Sequence, residues 1–114
     1  MKKYKIAFAG TGLRSTCYAK AYVKNPEIEI VALADLDAHS RRALVHRTGI
    51  PSGFTEHDNW RDLLQLDIDG VVITTPNFLH REMAIPFLEK GVAVAVEKPL
   101  TTTMADSEMI MDAV

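Results

Sequence analysis

A chain of 114 residues with 47% hydrophobic and 25% charged side chains has the length and composition of one globular domain around a single core. Its net charge of −2 leaves no electrostatic footprint for nucleic acid or an anionic membrane, and no apolar run reaches the length of a membrane span. Met1-Lys2-Lys3-Tyr4 leads into a strand without the apolar segment of a signal peptide, and the lone Cys17 forms no intrachain disulfide, so a cytoplasmic setting is expected.

Along the chain, strands alternate with helices. Residues 4–9 alternate and then run apolar, which predicts a first strand. A helix is predicted from residue 13 to about residue 24, with Leu13, Cys17 and Ala21 as its apolar stripe, Cys17 a small buried hydrophobe, and Asn25-Pro26 as its stop. Residues 28–34 make a second strand, mostly apolar as a sheet covered on both faces requires. Asp37 is placed to N-cap a helix over residues 38–47 that Thr48-Gly49 ends. Residues 52–55 read as a short third strand, and Asp58 as the cap of a short helix carrying Trp60, Leu63 and Leu64. Residues 70–75 form a buried strand ending at Pro76, and a helix over about residues 79–90 follows, with Pro86 expected to kink or bow it. Residues 92–96 give another strand, and Thr103-x-x-Asp106 opens a last helix with an approximate capping box.

This rhythm implies an α/β fold: a doubly wound parallel sheet of the Rossmann type, with right-handed crossovers and helices on both faces. Ligands of such sheets sit beyond the carboxyl ends of the strands, near the topological switch point. Residues 10–15, Asp35, residues 74–80 and residues 97–99 all follow a predicted strand, so their loops converge on one edge.

The chemistry expected there is dinucleotide binding. In Gly10-Thr11-Gly12-Leu13-Arg14-Ser15, Gly10 permits a tight turn out of the strand, and Gly12 removes the Cβ that would bar a pyrophosphate from the backbone. The amides and positive dipole end of the next helix face the anion. Ser15 stands where the full fingerprint has Gly or Ala for close helix–strand packing. Asp35 is placed to accept hydrogen bonds from the adenosine ribose and to repel a 2′-phosphate, which favours NAD over NADP; the bland alternative is a polar strand end. Arg41 and Arg42 are the nearby cations that such a phosphate would seek, although a solvated helix face is the plainer reading of both. Arg14 sits where the macrodipole disfavours a cation unless a pyrophosphate offsets it. His39, His46 and His57 show no metal-ligand spacing, so no metal is assigned.

Taken together, Ala9-Gly10-Thr11-Gly12, Ala34-Asp35, the run from Asp69 to Thr75-Pro76-Asn77-x-x-His80, and Glu97-Lys98-Pro99 resemble the N-terminal half of glucose–fructose oxidoreductase/inositol dehydrogenase (Gfo/Idh/MocA) proteins. The resemblance covers nearly the whole chain. It implies an N-terminal Rossmann domain that binds NAD or NADP, with a larger C-terminal domain supplying the substrate pocket and most catalytic groups. Most members oxidise or reduce sugar and cyclitol hydroxyls, and a minority are glycosidases that use bound NAD for a redox-assisted elimination. By this resemblance Gly10, Gly12, Leu13, Arg14, Ser15 and Asp35 hold the adenosine diphosphate end. Thr75, Pro76, Asn77 and His80 line the nicotinamide end, with Glu97, Lys98 and Pro99 beside them. Lys98 is the expected catalytic residue: its ammonium can hydrogen-bond a substrate hydroxyl and stabilise the developing alkoxide. The chain is expected to be one Rossmann domain of a longer, homo-oligomeric protein, with its last helix cut short. A sugar or polyol substrate would need the missing domain, and a non-catalytic nucleotide-binding module is the remaining alternative to a dehydrogenase or glycosidase.

Overall fold

The computed structural model of the chain describes residues 3–74 and 80–96. Five parallel strands form one sheet in the order β3-β2-β1-β4-β5, where β1 is Tyr4–Ala9, β2 Ile28–Ala34, β3 Thr55–His57, β4 Gly70–Ile73 and β5 Ala93–Val96. The chain winds outward from β1 to β3, returns to pair β4 with β1, and winds outward again to β5. The switch point therefore lies between the carboxyl ends of β1 and β4. Helices α1 (Ser15–Val23), α2 (Ala38–Thr48) and α3 (His80–Glu89), and a 3-10 helix at Trp60–Gln65, make the crossovers. None of the described helices is long and apolar enough to cross a membrane.

Both faces of the sheet are buried, as the apolar strand sequences require. On one face Phe8, Leu33 and Val72 pack with Ala19 of α1 and Leu44 of α2. On the other, small residues (Ala7, Ala9, Ala32, Ala34) receive the bulk of Met83 and Phe87 from α3 and Leu63 from the 3-10 helix. A bulge sets which residue goes where. β1 pairs Ile6 with Ile30 but Ala7 with Ala32, so Val31 is an extra residue in β2. It switches the side-chain parity, leaving Ile30 and Leu33 on the α1–α2 face and Ala32 and Ala34 on the other.

The first helix differs from its predicted rotation. Leu13 precedes α1 and is 79% exposed. Cys17 and Ala21 are exposed too, so the expectation of a buried Cys17 is wrong. The buried residues are Ser15 and Ala19. Two residues along a helix turn it about 200°, so a stripe at 13, 17 and 21 faces away from one at 15 and 19. Tyr18, Ala19, Tyr22 and Val23 form the apolar stripe that packs on the sheet, with Ser15 at its head, and that stripe outweighs the one at 13, 17 and 21.

Elsewhere the differences are smaller. Asp37 caps α2, accepting from the His39 amide at 2.9 Å, and Gly49 ends the helix in the left-handed conformation (φ 74°). β3 lies later than residues 52–55, at Thr55–His57. The cap of the next helix is Asn59, not Asp58: its Oδ1 accepts from the Arg61 amide at 2.9 Å, while Asp58 is taken by an ion pair. β4 ends at Ile73, before the predicted residue 75. α3 continues through Pro86. The final helix expected from Thr103 lies outside the described residues.

Candidate functional site

The carboxyl ends of β1, β2 and β4 are stitched together by the first residues that leave them. Gly10 turns out of β1 with φ 106°, a conformation that a side chain would strain, and donates to Ala34 O at 2.8 Å. The Thr74 amide donates to Ala9 O at 3.0 Å from the other side. Ser15 is fully buried between them: its Oγ donates to Gly10 O at 2.8 Å and lies 2.7 Å from Thr74 Oγ1. A hydroxyl has one hydrogen to give, so Thr74 is the donor in the second bond and the relay runs Thr74 to Ser15 to Gly10. The third fingerprint position is thus small for packing and polar for a tether.

Thr11, between the glycines, is also fully buried. Its amide and its hydroxyl both donate to Asp35 Oδ2, each at 2.9 Å, and Ser40 Oγ donates to Thr11 O at 3.2 Å. Asp35 Oδ1 accepts from the Asp37 amide at 2.9 Å. Asp35 thus follows β2 and pins the glycine turn, while Oδ1 keeps room for a further donor. Arg47 of α2 braces the turn from behind, with Nε 3.2 Å from Thr16 Oγ1 and a terminal nitrogen 3.4 Å from Gly12 O.

What this bracing leaves open fits a diphosphate. Among the described residues beyond its chain neighbours, a Cβ built on Gly12 meets no atom within 4 Å, and its φ is not left-handed, so nothing described demands glycine there. The amides of Ser15 and Thr16 turn back onto Gly12 O and Leu13 O at 3.0 and 3.1 Å. Those of Gly12, Leu13 and Arg14 find no acceptor among the described residues. Free amides ahead of a helix N-terminus, beside a glycine with empty space over it, are what an anionic diphosphate would occupy.

The adjoining cleft, of about 580 Å³, is lined by Gly10, Gly12, Asp35, Leu36, Asp58, Trp60, Arg61 and Thr74 among others. Leu36 is 87% exposed at its mouth. The Arg61 guanidinium lies 4.8 Å from the Trp60 ring centroid and pairs with Glu82 at 3.4 Å. The wall thus combines an apolar side chain with a cation–aromatic stack, surfaces suited to a flat heteroaromatic ring.

Arg41 contradicts the solvated-face reading. It is only 7% exposed. Its Nε donates to Glu56 Oε1 at 3.0 Å, and NH1 reaches Asp58 Oδ1 at 3.1 Å, His57 O at 3.3 Å and Asp35 O. Glu56, and after it Asp58, hold the guanidinium charged beyond its ordinary range, against the opposing effect of burial. The side chain ties the β2 exit to β3. Arg42, by contrast, is exposed.

Of the expected site residues, the structure brings Gly10, Gly12, Ser15 and Asp35 together and leaves Leu13 and Arg14 exposed beside them. His80 is the first residue of α3. Thr75, Pro76, Asn77, Glu97, Lys98 and Pro99 lie outside the described residues. Sequence reasoning missed Thr11, Leu36, Asp58, Trp60 and Arg61. Leu36 carried a usable signal, an apolar residue between two aspartates just past a strand; the others depended on where loops far apart in the chain meet.

Residues 4–114 match the Gfo/Idh/MocA family, an oxidoreductase family with an NAD-binding Rossmann fold. The chain belongs to this family. A glycosyl hydrolase family 109 protein from Stenotrophomonas maltophilia is 35% identical over 92% of this chain but only 25% of its own length. A dehydrogenase from Chromobacterium violaceum superposes with a TM-score of 0.85 at 33% identity, over 99% of this chain and 33% of that one. The WlbA dehydrogenase from the same species, solved with NADH and UDP-GlcNAcA, does so with a TM-score of 0.81 at 29% identity, over 99% of this chain and 32% of that one. The chain thus spans about a quarter of the length of the curated relatives it matches. Membership of the Gfo/Idh/MocA family makes this an NAD-binding Rossmann domain.

Proposed function

We propose that residues 1–114 form the dinucleotide-binding domain of a protein that transfers hydride between NAD and a hydroxyl group of a sugar or polyol. The observation that carries this reading is the empty space over Gly12, flanked by free amides at the switch point. The amides of Gly12, Leu13 and Arg14 hold the pyrophosphate, and Arg14 adds charge to it. Asp35 Oδ1 accepts from the ribose, while Leu36 and the Trp60–Arg61 stack cover the adenine. Thr75, Pro76, Asn77, His80 and Glu97 line the nicotinamide end, and Pro99 sets the turn beside Lys98. Bound NAD supplies a hydride acceptor at its nicotinamide ring. Lys98 hydrogen-bonds the substrate hydroxyl and stabilises negative charge as it develops on that oxygen. The remaining acid–base groups and the substrate pocket belong to a following domain, in keeping with the greater length of the relatives. We place the protein in the cytoplasm, which suits a chain whose single cysteine is an exposed thiol.

Titrating the chain with NADH, following nicotinamide fluorescence, tests the binding reading. Saturable binding that Gly12→Val abolishes without unfolding is expected, and absence of binding to the folded chain would sink it. A second reading, an NAD-dependent glycosidase, is favoured by the 35% identical glycosyl hydrolase. The full-length protein separates the two: a dehydrogenase accumulates NADH with sugars or cyclitols, whereas a glycosidase cleaves glycosides with no net NADH.

A further inference from the structure

Arg41 is a buried cation with an unusual position. It lies directly beneath the residue expected to read the ribose, since NH1 donates to the backbone carbonyl of Asp35. It is also committed elsewhere. Two carboxylates, Glu56 in β3 and Asp58 just after it, take Nε and NH1 at 3.0 and 3.1 Å. Asp58 lines the cleft alongside Asp35, and its side chain is 79% exposed. Two carboxylates, Glu56 and Asp58, therefore hold the guanidinium next to the cleft edge, while the Asp35 carboxylate there is taken by Thr11 and the Asp37 amide.

We propose that Glu56 and Asp58 are specificity-determining residues: by holding Arg41 beneath the β2 exit they withhold it from a 2′-phosphate, and so enforce NAD over NADP together with Asp35. This rests on the cleft being the dinucleotide site. The physical basis is the cost of an unpaired buried charge. A guanidinium stripped of both carboxylates does not stay where it is without loss; it seeks another anion or water. Asp35 O and His57 O are neutral acceptors and do not neutralise it. The nearest route to a new anion is the cleft edge that Asp58 occupies, where a 2′-phosphate on the ribose would lie. With both partners in place, that phosphate meets the Asp35 and Asp58 charges and no free cation from Arg41.

The experiment compares NADH and NADPH dissociation constants for the full chain and its variants, with a thermal melt for each. In Glu56→Gln/Asp58→Asn the ratio of the NADPH to the NADH constant should fall roughly tenfold or more, the scale of one charge-assisted pair. Adding Arg41→Met to that background should abolish the gain, whereas adding Arg42→Met should not. Asp58→Asn alone, at the exposed partner, should move the ratio in the same direction by less, and it keeps the test alive if the double variant does not fold. A ratio unchanged in both Asp58→Asn and the double variant, with NADH still bound, overturns the proposal. So does a gain that survives Arg41→Met, because loss of negative charge alone would then explain it. Failure of the wild-type chain to bind NADH at all would instead overturn the assignment of the cleft.

Discussion

Ser15 Oγ lies 2.7 Å from Thr74 Oγ1, which joins the first residue of α1 to the exit of β4 across the switch point. The same oxygen donates to Gly10 O, so one buried hydroxyl fixes the glycine turn, the helix and the neighbouring strand end relative to one another. It holds the start of α1 beside the turn that carries the free amides, while Ala19, Tyr18, Tyr22 and Val23 pack the same face of the helix on the sheet.

Ser15→Ala should therefore destabilise the fold more than Thr74→Val. The first leaves the buried Gly10 carbonyl without its side-chain donor, a loss of about 1–3 kcal/mol. The second removes only the donor to Ser15, which stays bonded to Gly10, and it occurs at a half-buried position. Thermal melts of the two variants decide the matter. Equal melting temperatures, or a larger drop for Thr74→Val, would contradict the relay.

Gly12→Ala separates ligand space from folding. Among the described residues, none beyond its chain neighbours places an atom within 4 Å of the added Cβ, and the backbone is not left-handed. The folded chain should gain stability, by about 0.4–1 kcal/mol through restriction of the unfolded state. NADH affinity should drop at the same time, because the methyl occupies the approach of the pyrophosphate. A variant that loses stability, or one that binds NADH as tightly as the parent, would show that Gly12 has another purpose.

Much of the fold was legible because local chemistry and tertiary context agreed. The apolar runs set four strands, Asp37 and Gly49 bounded α2, and the convergence of polar loops located the cleft edge. The failures differ in cause. Leu13, Cys17 and Ala21 have the right spacing for a core stripe, but the larger stripe of Tyr18, Ala19, Tyr22 and Val23 is the one that packs. Arg41 looked like surface charge because its partners, Glu56 and Asp58, come from the far side of a crossover. Thr11 showed no signal at all, since its value lies in reaching Asp35. Pairings made across the chain are invisible to periodicity.

Asp35 carries structural and ligand roles that substitutions should expose separately. Asp35→Ser removes the acceptor of two Thr11 bonds and one Asp37 bond, so it should cost stability as well as eroding the preference for NAD over NADP. Thr11→Val keeps the amide bond to Asp35 and removes the hydroxyl's contacts, the charge-assisted one to Asp35, worth about 1.5–3 kcal/mol, and a longer one to Ser40 Oγ at 3.2 Å. It should lower the melting temperature while leaving the NADH to NADPH affinity ratio near that of the parent. If Thr11→Val shifts the ratio as far as Asp35→Ser does, the carboxylate acts through the turn and not by meeting the ribose.

Lys98 is the residue on which turnover of the full-length enzyme should depend. In the sequence it directly follows Glu97, just past β5, and the proposed function assigns it to the substrate hydroxyl. Lys98→Met preserves the aliphatic length and removes the ammonium, so packing is kept while the donor to the developing alkoxide is lost. Deleting one donor of this oxyanion type costs roughly 2.7–4 kcal/mol, or about two to three orders of magnitude in turnover. NADH affinity and melting temperature should change little, since neither depends on charge that develops only in the transition state. Turnover, NADH titration and thermal melting of Lys98→Met in the complete protein make the comparison. Near-normal turnover, or a collapse of stability in place of rate, would remove Lys98 from the chemistry.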